Sequence, residues 1–178
     1  MTVQVNLNTI GGELGKEIFY RTLAASIRAL LGDERDFLAN AANMAAVLYQ
    51  ELPAVNWAGF YLFKGQDLVL GPFQGKPACT RIGPSKGVCG AAASKRESVV
   101  VENVKKFPGH IACDSASKSE IVIPMVRGGR LIGVLDLDSP IVARFDDEDR
   151  AGLEEIVRLL LETSDDEYWV LSFLTTDN

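Results

Sequence analysis

Cys79, Cys89 and Cys113, and the single histidine His110, all fall between residues 71 and 124, together with the run GHIACDSASKSEIVIP. Soft nucleophiles, a titratable imidazole and neighbouring carboxylates are the groups that thiol redox chemistry on a small polar substrate requires. Cys89 follows Gly87 and Val88 and opens a small-residue stretch. The spacing predicts a thiol at the start of a short helix, where backbone amides favour the thiolate. Cys113 follows His110 by three residues, so an imidazolium could act on it in the same way. Either thiol fits the role of nucleophile. The alternative is that the cysteines fill apolar space, since free Cys is among the most buried residue types. Their contexts argue against that: Cys79 follows Lys76-Pro77-Ala78, Cys89 sits among glycines, and Cys113 lies in a polar segment. A zinc site from Cys79, Cys89, Cys113 and His110 has the donors but no CxxC or HxxxH spacing, and no metal or other cofactor is expected.

Carboxylates supply the second half of the chemistry. Alternation along a strand over residues 130–138 puts Ile132, Val134, Asp136 and Asp138 on one face and Leu131, Gly133, Leu135 and Leu137 on the other. Two carboxylates ending one face make either a solvated strand end or a pocket that binds an ammonium group and donates a proton. Glu120 enters the opposing strand of the same hairpin. An unbroken ladder from the turn pairs Arg127 with Arg130, Ile121 with Asp136 and Ser119 with Asp138, and leaves Glu120 on the wrong face. Proline inside a strand marks bulges, so one extra residue near Pro124 would carry Glu120 to the Asp side.

The elements that must hold these groups follow from periodicity. Phe37, Ala41, Met44, Leu48 and Leu52 recur at helical spacing behind the acidic cluster Asp33, Glu34 and Asp36, predicting a helix over residues 36–52. Residues 15–30 read as an earlier helix. Residues 57–63 and 68–71 form a hairpin across Lys64-Gly65-Gln66-Asp67, and residues 119–126 and 130–138 a second across Gly128-Gly129, which accepts the positive φ of a tight turn. Short strands over 78–82 and 98–101 and a helix over 87–94 lie between the hairpins. Asp146 and Asp149 then open a helix whose apolar face is Leu153, Ile156, Val157, Leu160 and Leu161. Paired strands flanked by helices predict an α+β fold, a central antiparallel sheet with helices packed mainly on one face. The segment after residue 164 turns apolar at Tyr168, Trp169, Val170, Leu171, Phe173 and Leu174, and is expected to dock on its own domain or a second subunit.

Composition narrows the function classes. With 178 residues at 47% hydrophobic, the chain suits one domain and core. Its net charge of -6 disfavours nucleic acid and anionic membrane surfaces. The N-terminal residues carry no basic-then-apolar leader, and the expected location is cytoplasmic.

The motifs GPFQGKPACTRI (71–82), SKGVCG (85–90), FPGHIACDSASKSEIVIP (107–124) and GVLDLDSP (133–140) together resemble the free methionine-(R)-sulfoxide reductases, small enzymes built on a single GAF domain. The resemblance runs over about residues 57–161 and includes all three cysteine positions. It implies a GAF-like fold over 1–178, with 1–35 as an N-terminal helical segment and 164–178 as a C-terminal extension. By the same resemblance, Cys113 attacks the sulfoxide sulfur of free methionine-(R)-sulfoxide, and Cys79 closes a disulfide that thioredoxin reduces. Cys89 is an alternative nucleophile or a second partner. Glu120, Asp136 and Asp138 are implied as substrate-binding carboxylates, with Glu120 and Asp138 also as acids, and Trp57 and Tyr61 as the aromatic pocket wall; on their own these two rings read equally well as core packing. A homodimer is expected. The rival reading is a non-catalytic GAF sensor module that binds a small ligand.

Overall fold

The computed structural model describes residues 15–109 and 115–165; His110 and Cys113, and the apolar segment after residue 165, lie outside the described residues. Helix α1 (Lys16–Leu31) stops at Gly32, whose φ of 53° favours glycine. Helix α2 (Phe37–Glu51) starts where the Asp36 carboxylate accepts the Ala39 amide at 2.9 Å. Strands β1 (Trp57–Lys64) and β2 (Asp67–Gly75) form the first hairpin around Gly65. β2 runs past the expected end at residue 71 because its ladder with β1 shifts register between Gly59 and Tyr61, where Pro72 is accommodated. Strand β3 is confined to Arg81–Ile82, shorter than the expected 78–82. Helix α3 (Gly87–Lys95), strand β4 (Val99–Val101), the hairpin β5 (Ser119–Arg127) and β6 (Arg130–Ser139), and helix α4 (Asp147–Thr163) complete the order.

The six strands of the described residues join one antiparallel sheet in the order β3-β2-β1-β6-β5-β4. Helices α1, α2 and α4 cover one face, where Ile27, Met44, Leu48, Phe60, Ile121, Leu135, Leu137, Leu153 and Ile156 are fully buried. The shorter α3 crosses the other face and packs Val88 and Ala92 against Val122 and Val134. The expected α+β architecture is observed, with three helices on one side and one on the other. Each helix of the larger layer presents one apolar stripe, the pattern of a helix half-buried on a sheet. In α4 Leu159 takes the buried place expected for Leu161, which lies at the rim.

One buried carboxylate ties this helical layer together. Asp149 is the inner member of a reciprocal capping box with Asp146. It also accepts the Tyr20 hydroxyl at 2.8 Å, the Lys16 ammonium at 2.6 Å and the Arg144 guanidinium at 3.1 Å. Burial first, and the Asp149 charge second, push the Tyr20 phenol far above its ordinary range, so it stays a donor.

In the β5–β6 hairpin, Gly128 and Gly129, at φ 56° and 76°, make the two-residue turn and pair Arg127 with Arg130, as expected. The ladder then shifts between Val126 and Met125, which faces Gly133, so Ile132 is an extra residue in β6. The bulge sits in the partner strand and not at Pro124. It also corrects the face assignment: Leu131 joins Val134 on the α3 side, whereas Ile132 packs into the helical layer with Leu135 and Leu137. Beyond the bulge Glu120 lies opposite Asp138 and Val122 opposite Asp136. Gly133 makes this possible, because a Cβ there would stand 2.2 Å from the Tyr61 carbonyl oxygen of β1. That neighbour is backbone and cannot swing away. Gly133→Ala should therefore destabilise the protein by about 3 kcal/mol, the upper range for overpacking, read as a lowered urea midpoint. A midpoint within error of the parent would show that β1 and β6 do not need this approach.

Candidate active site

Antiparallel partners share a face, so the register places the site row by row. Trp57, Asp138 and Glu120 lie side by side across β1, β6 and β5; the next row is Gly59, Asp136 and Val122. Tyr61 follows opposite Val134. Gly59 is bare because its space is already taken: a Cβ there would meet Phe73 at 2.3 Å and the Trp57 ring at 2.7 Å. The Trp57 ring stacks on Phe73 at 5.4 Å and on Tyr61 at 5.8 Å, forming a continuous aromatic wall.

The polar tips of that wall do a second job. Trp57 Nε1 donates to the Lys76 carbonyl at 3.1 Å, and the Tyr61 hydroxyl donates to the Cys79 carbonyl at 3.1 Å. The loop over residues 76–79 is thus fastened across the sheet face, which explains the short β3 and holds Cys79 half-buried beside the cleft. Both rings are core and wall at once. Cys79 and Cys89 are free thiols.

Residues from six segments line the cleft: Trp57 and Tyr61 from β1, Lys76 to Ala78 from the fastened loop, Ile82 of β3, Lys86 to Cys89 at the start of α3, Ser117 and Glu120 around the start of β5, and Asp136 and Asp138 from β6. Lys76, Lys86 and Ser117 are not among the functional residues expected from the sequence. The first two carried no signal beyond lying inside the quoted motifs. Ser117 is buried, accepts the Asn56 side-chain amide at 3.2 Å, and lies four residues beyond Cys113.

The carboxylates are not a solvated strand end. Glu120 and Asp136 are each only 6% exposed, and Asp138 is half-buried. Burial, then the Asp138 charge, raises the Glu120 carboxyl well above the ordinary carboxylate range. Burial, then the charges of Glu120 and Asp138, does the same for Asp136. A hydrogen bond links the two carboxyls, and burial together with their mutual repulsion favours a proton on the pair. Oδ1 of Asp136 is buried with no hydrogen-bond partner among the described residues. An uncompensated buried acceptor is costly in a folded core and suits a site that waits for a donor.

Cys89 corrects one expectation. It does open α3, but it is 3% exposed and points at Asp136, to which its thiol donates. Burial, followed by the Asp136 and Glu120 charges, pushes its pKa up, opposite to the thiolate expected at a helix start. Desolvation and two carboxylates outweigh the amides of one short helix.

Comparison with known proteins places the chain in a family. Residues 17–161 match the GAF domain family. The chain is 50% identical over 147 residues to a free methionine-R-sulfoxide reductase of Escherichia coli, covering 83% of this chain and 89% of that protein. It is 41% identical over 155 residues to the free methionine-R-sulfoxide reductase of Saccharomyces cerevisiae, covering 83% and 86%. Among solved structures, the free methionine-R-sulfoxide reductase of Neisseria meningitidis in complex with its substrate superimposes with a TM-score of 0.81 at 46% identity, over 84% of this chain and 90% of that one.

The raised carboxyls predict an inverted pH dependence of stability. Above pH ~4, where unfolded Asp and Glu lose their protons, the folded chain keeps protons that the unfolded chain has lost. Stability from this pair is therefore full below that pH and falls as pH rises through the elevated folded-state values. Asp136→Asn should be near parent stability at pH 4 and more stable by about 1 kcal/mol at pH 8, typical of relieved functional strain. Urea titrations at both pH values check this; an Asn variant that loses ground as pH rises would contradict it.

Proposed function

The chain belongs to the GAF-domain free methionine-R-sulfoxide reductases, and on that premise we propose that it reduces free methionine-(R)-sulfoxide to methionine by a two-thiol cycle. The observation that carries the reading is the buried Glu120–Asp136 pair facing the Trp57–Tyr61 wall in the cleft beside Cys79. The wall takes the apolar methylene and methyl part of the methionine sulfoxide side chain. Oδ1 of Asp136 accepts an N–H of the substrate ammonium, which favours ionised Asp136 and shifts the pair's proton to Glu120. Asp138, opposite both Trp57 and Glu120, completes the acidic face and shares the proton-donating role.

In the first step the Cys113 thiolate attacks the sulfoxide sulfur while the sulfoxide oxygen receives the proton; the substrate S–O bond breaks, the hydroxyl passes to the Cys113 sulfur as a sulfenic acid, and methionine leaves with the electron pair on its sulfur. Cys79 then displaces water from that sulfenic acid and forms the disulfide. A dithiol donor such as thioredoxin returns two electrons and two protons. Cys89, buried and protonated against Asp136, serves this cycle better as a hydrogen-bond donor than as the attacking thiol. The protein works in this reading as a cytoplasmic homodimer without a bound cofactor.

Single-turnover methionine yield tests the thiol order. Cys113→Ser should release no methionine, whereas Cys79→Ser should release about one equivalent and stall, because the resolving thiol only regenerates the enzyme. Loss of the first turnover in Cys89→Ser but not in Cys113→Ser would reverse the assignment.

A second test addresses the proton and the ammonium. Glu120→Gln should slow the first turnover by about 10²-fold or more, the loss typical of a general acid, while Asp136→Asn should mainly raise KM. The parent's first-turnover rate should be bell-shaped in pH, the acid setting the alkaline limb. Methionine sulfoxide inside a peptide lacks the ammonium and should react poorly. Equal rates on free and peptide-bound sulfoxide would overturn the reading.

A further inference from the structure

Cys89, Glu120 and Asp136 form a set that the reductase cycle does not exhaust. One sulfur and one carboxylate oxygen from each acid lie within 4.8 Å of one another, all three residues being buried. They come from three different elements, α3, β5 and β6, which the sheet and the α3 packing hold together. A tetrahedral d¹⁰ ion with Zn–S about 2.3 Å and Zn–O about 2.0 Å sets neighbouring donors roughly 3.5 Å apart. Small side-chain rotations close that difference. The unpartnered Oδ1 of Asp136 is an acceptor already stripped of water, on a residue that lines the cleft.

We infer that this cluster is a binding site for a borderline-soft divalent cation of the Zn²⁺ class. The cation takes Cys89 Sγ, Glu120 and Asp136 as three ligands and leaves its fourth position open to the cleft. The donor chemistry selects the ion. Mg²⁺ and Ca²⁺ take six or more oxygen ligands, which three donors with a sulfur do not provide, whereas thiolate with carboxylate suits Zn²⁺ and Cd²⁺. Binding displaces the cluster's protons into solvent, with no change of oxidation state. The same atoms hold the ammonium and the proton in the proposed reductase cycle. The cation is thus an inhibitor and not a cofactor: it competes with substrate and removes the acid. That inhibitory part rests on the reductase reading; the binding part does not.

The full-length protein with both Cys79→Ser and Cys113→Ser retains Cys89 as its only thiol, and is titrated with Cd²⁺ in the ultraviolet and with Zn²⁺ by calorimetry. One ion per chain with a thiolate-to-metal absorption band is expected, and Cys89→Ser on that background should lose the band. Asp136→Asn on the same background keeps the thiol and should weaken Zn²⁺ by at least tenfold. A band absent from the double variant, or Zn²⁺ affinity unchanged by Asp136→Asn, would overturn the site. In the unmodified protein Zn²⁺ should raise the KM for methionine sulfoxide reversibly, with chelator restoring activity. Cation binding through Cys89 in a protein that reduces no sulfoxide would leave this site standing and refute the reductase reading. Turnover indifferent to saturating Zn²⁺ would refute the inhibition.

Discussion

The register of one hairpin decides what this sheet can do. The turn at Gly128-Gly129 fixes where counting starts, and the extra residue Ile132 in β6 fixes where it ends, with Glu120 opposite Asp138. A one-residue slip would turn Glu120 into the helical layer, where an unpaired carboxylate among Leu135, Leu137 and Ile156 would be prohibitively desolvated. Gly133 then lets β1 close over the bulge and bring Trp57 into line with the two acids. The carboxyls sit close together, dry and mutually repelling, which raises both above the ordinary carboxylate range.

Such a site costs stability, and the rest of the molecule is arranged to bear that cost. The opposite face carries a larger helical layer, knit by Asp149 to Lys16, Tyr20 and Arg144. Among the described residues, the site face is covered by short α3, by the segment carrying Val104 and Phe107, and by the loop that Trp57 and Tyr61 fasten. This asymmetry suits a catalyst: a rigid slab behind the sheet and a light, locally tethered cover in front of it. In the proposed function, the substrate ammonium supplies the donor that the uncompensated oxygen of Asp136 lacks.

Much of this architecture is legible in the sequence. Helical spacing from Phe37 to Leu52, the Asp146 and Asp149 capping signal and the Gly-Gly turn each gave their element within a residue or two, because local chemistry determines them. The need for a bulge was also readable, since the plain ladder put Glu120 on the wrong face. Its position was not. Pro124 was the visible marker, whereas the bulge formed at Ile132, where burial in the helical layer rewards an extra apolar residue. Cys89 failed for a similar reason: the helix start was correctly placed, but burial and facing carboxylates are tertiary facts that no local window contains. The anchoring of Lys76 and Cys79 by Trp57 and Tyr61 likewise depends on which atoms the fold brings within 3.1 Å.

The central claim is that the Glu120–Asp136 pair holds a proton in the resting protein near neutral pH. Carbon-13 carboxyl labelling of Asp and Glu, with Glu120→Gln and Asp136→Asn for assignment, reads that proton directly as the pH is varied. The account predicts one of the two carboxyls protonated at pH 7, with titration displaced well above the roughly pH 4 of ordinary carboxyls, moving down when methionine sulfoxide binds. Two carboxyls that both titrate near pH 4, insensitive to each other and to ligand, would contradict it.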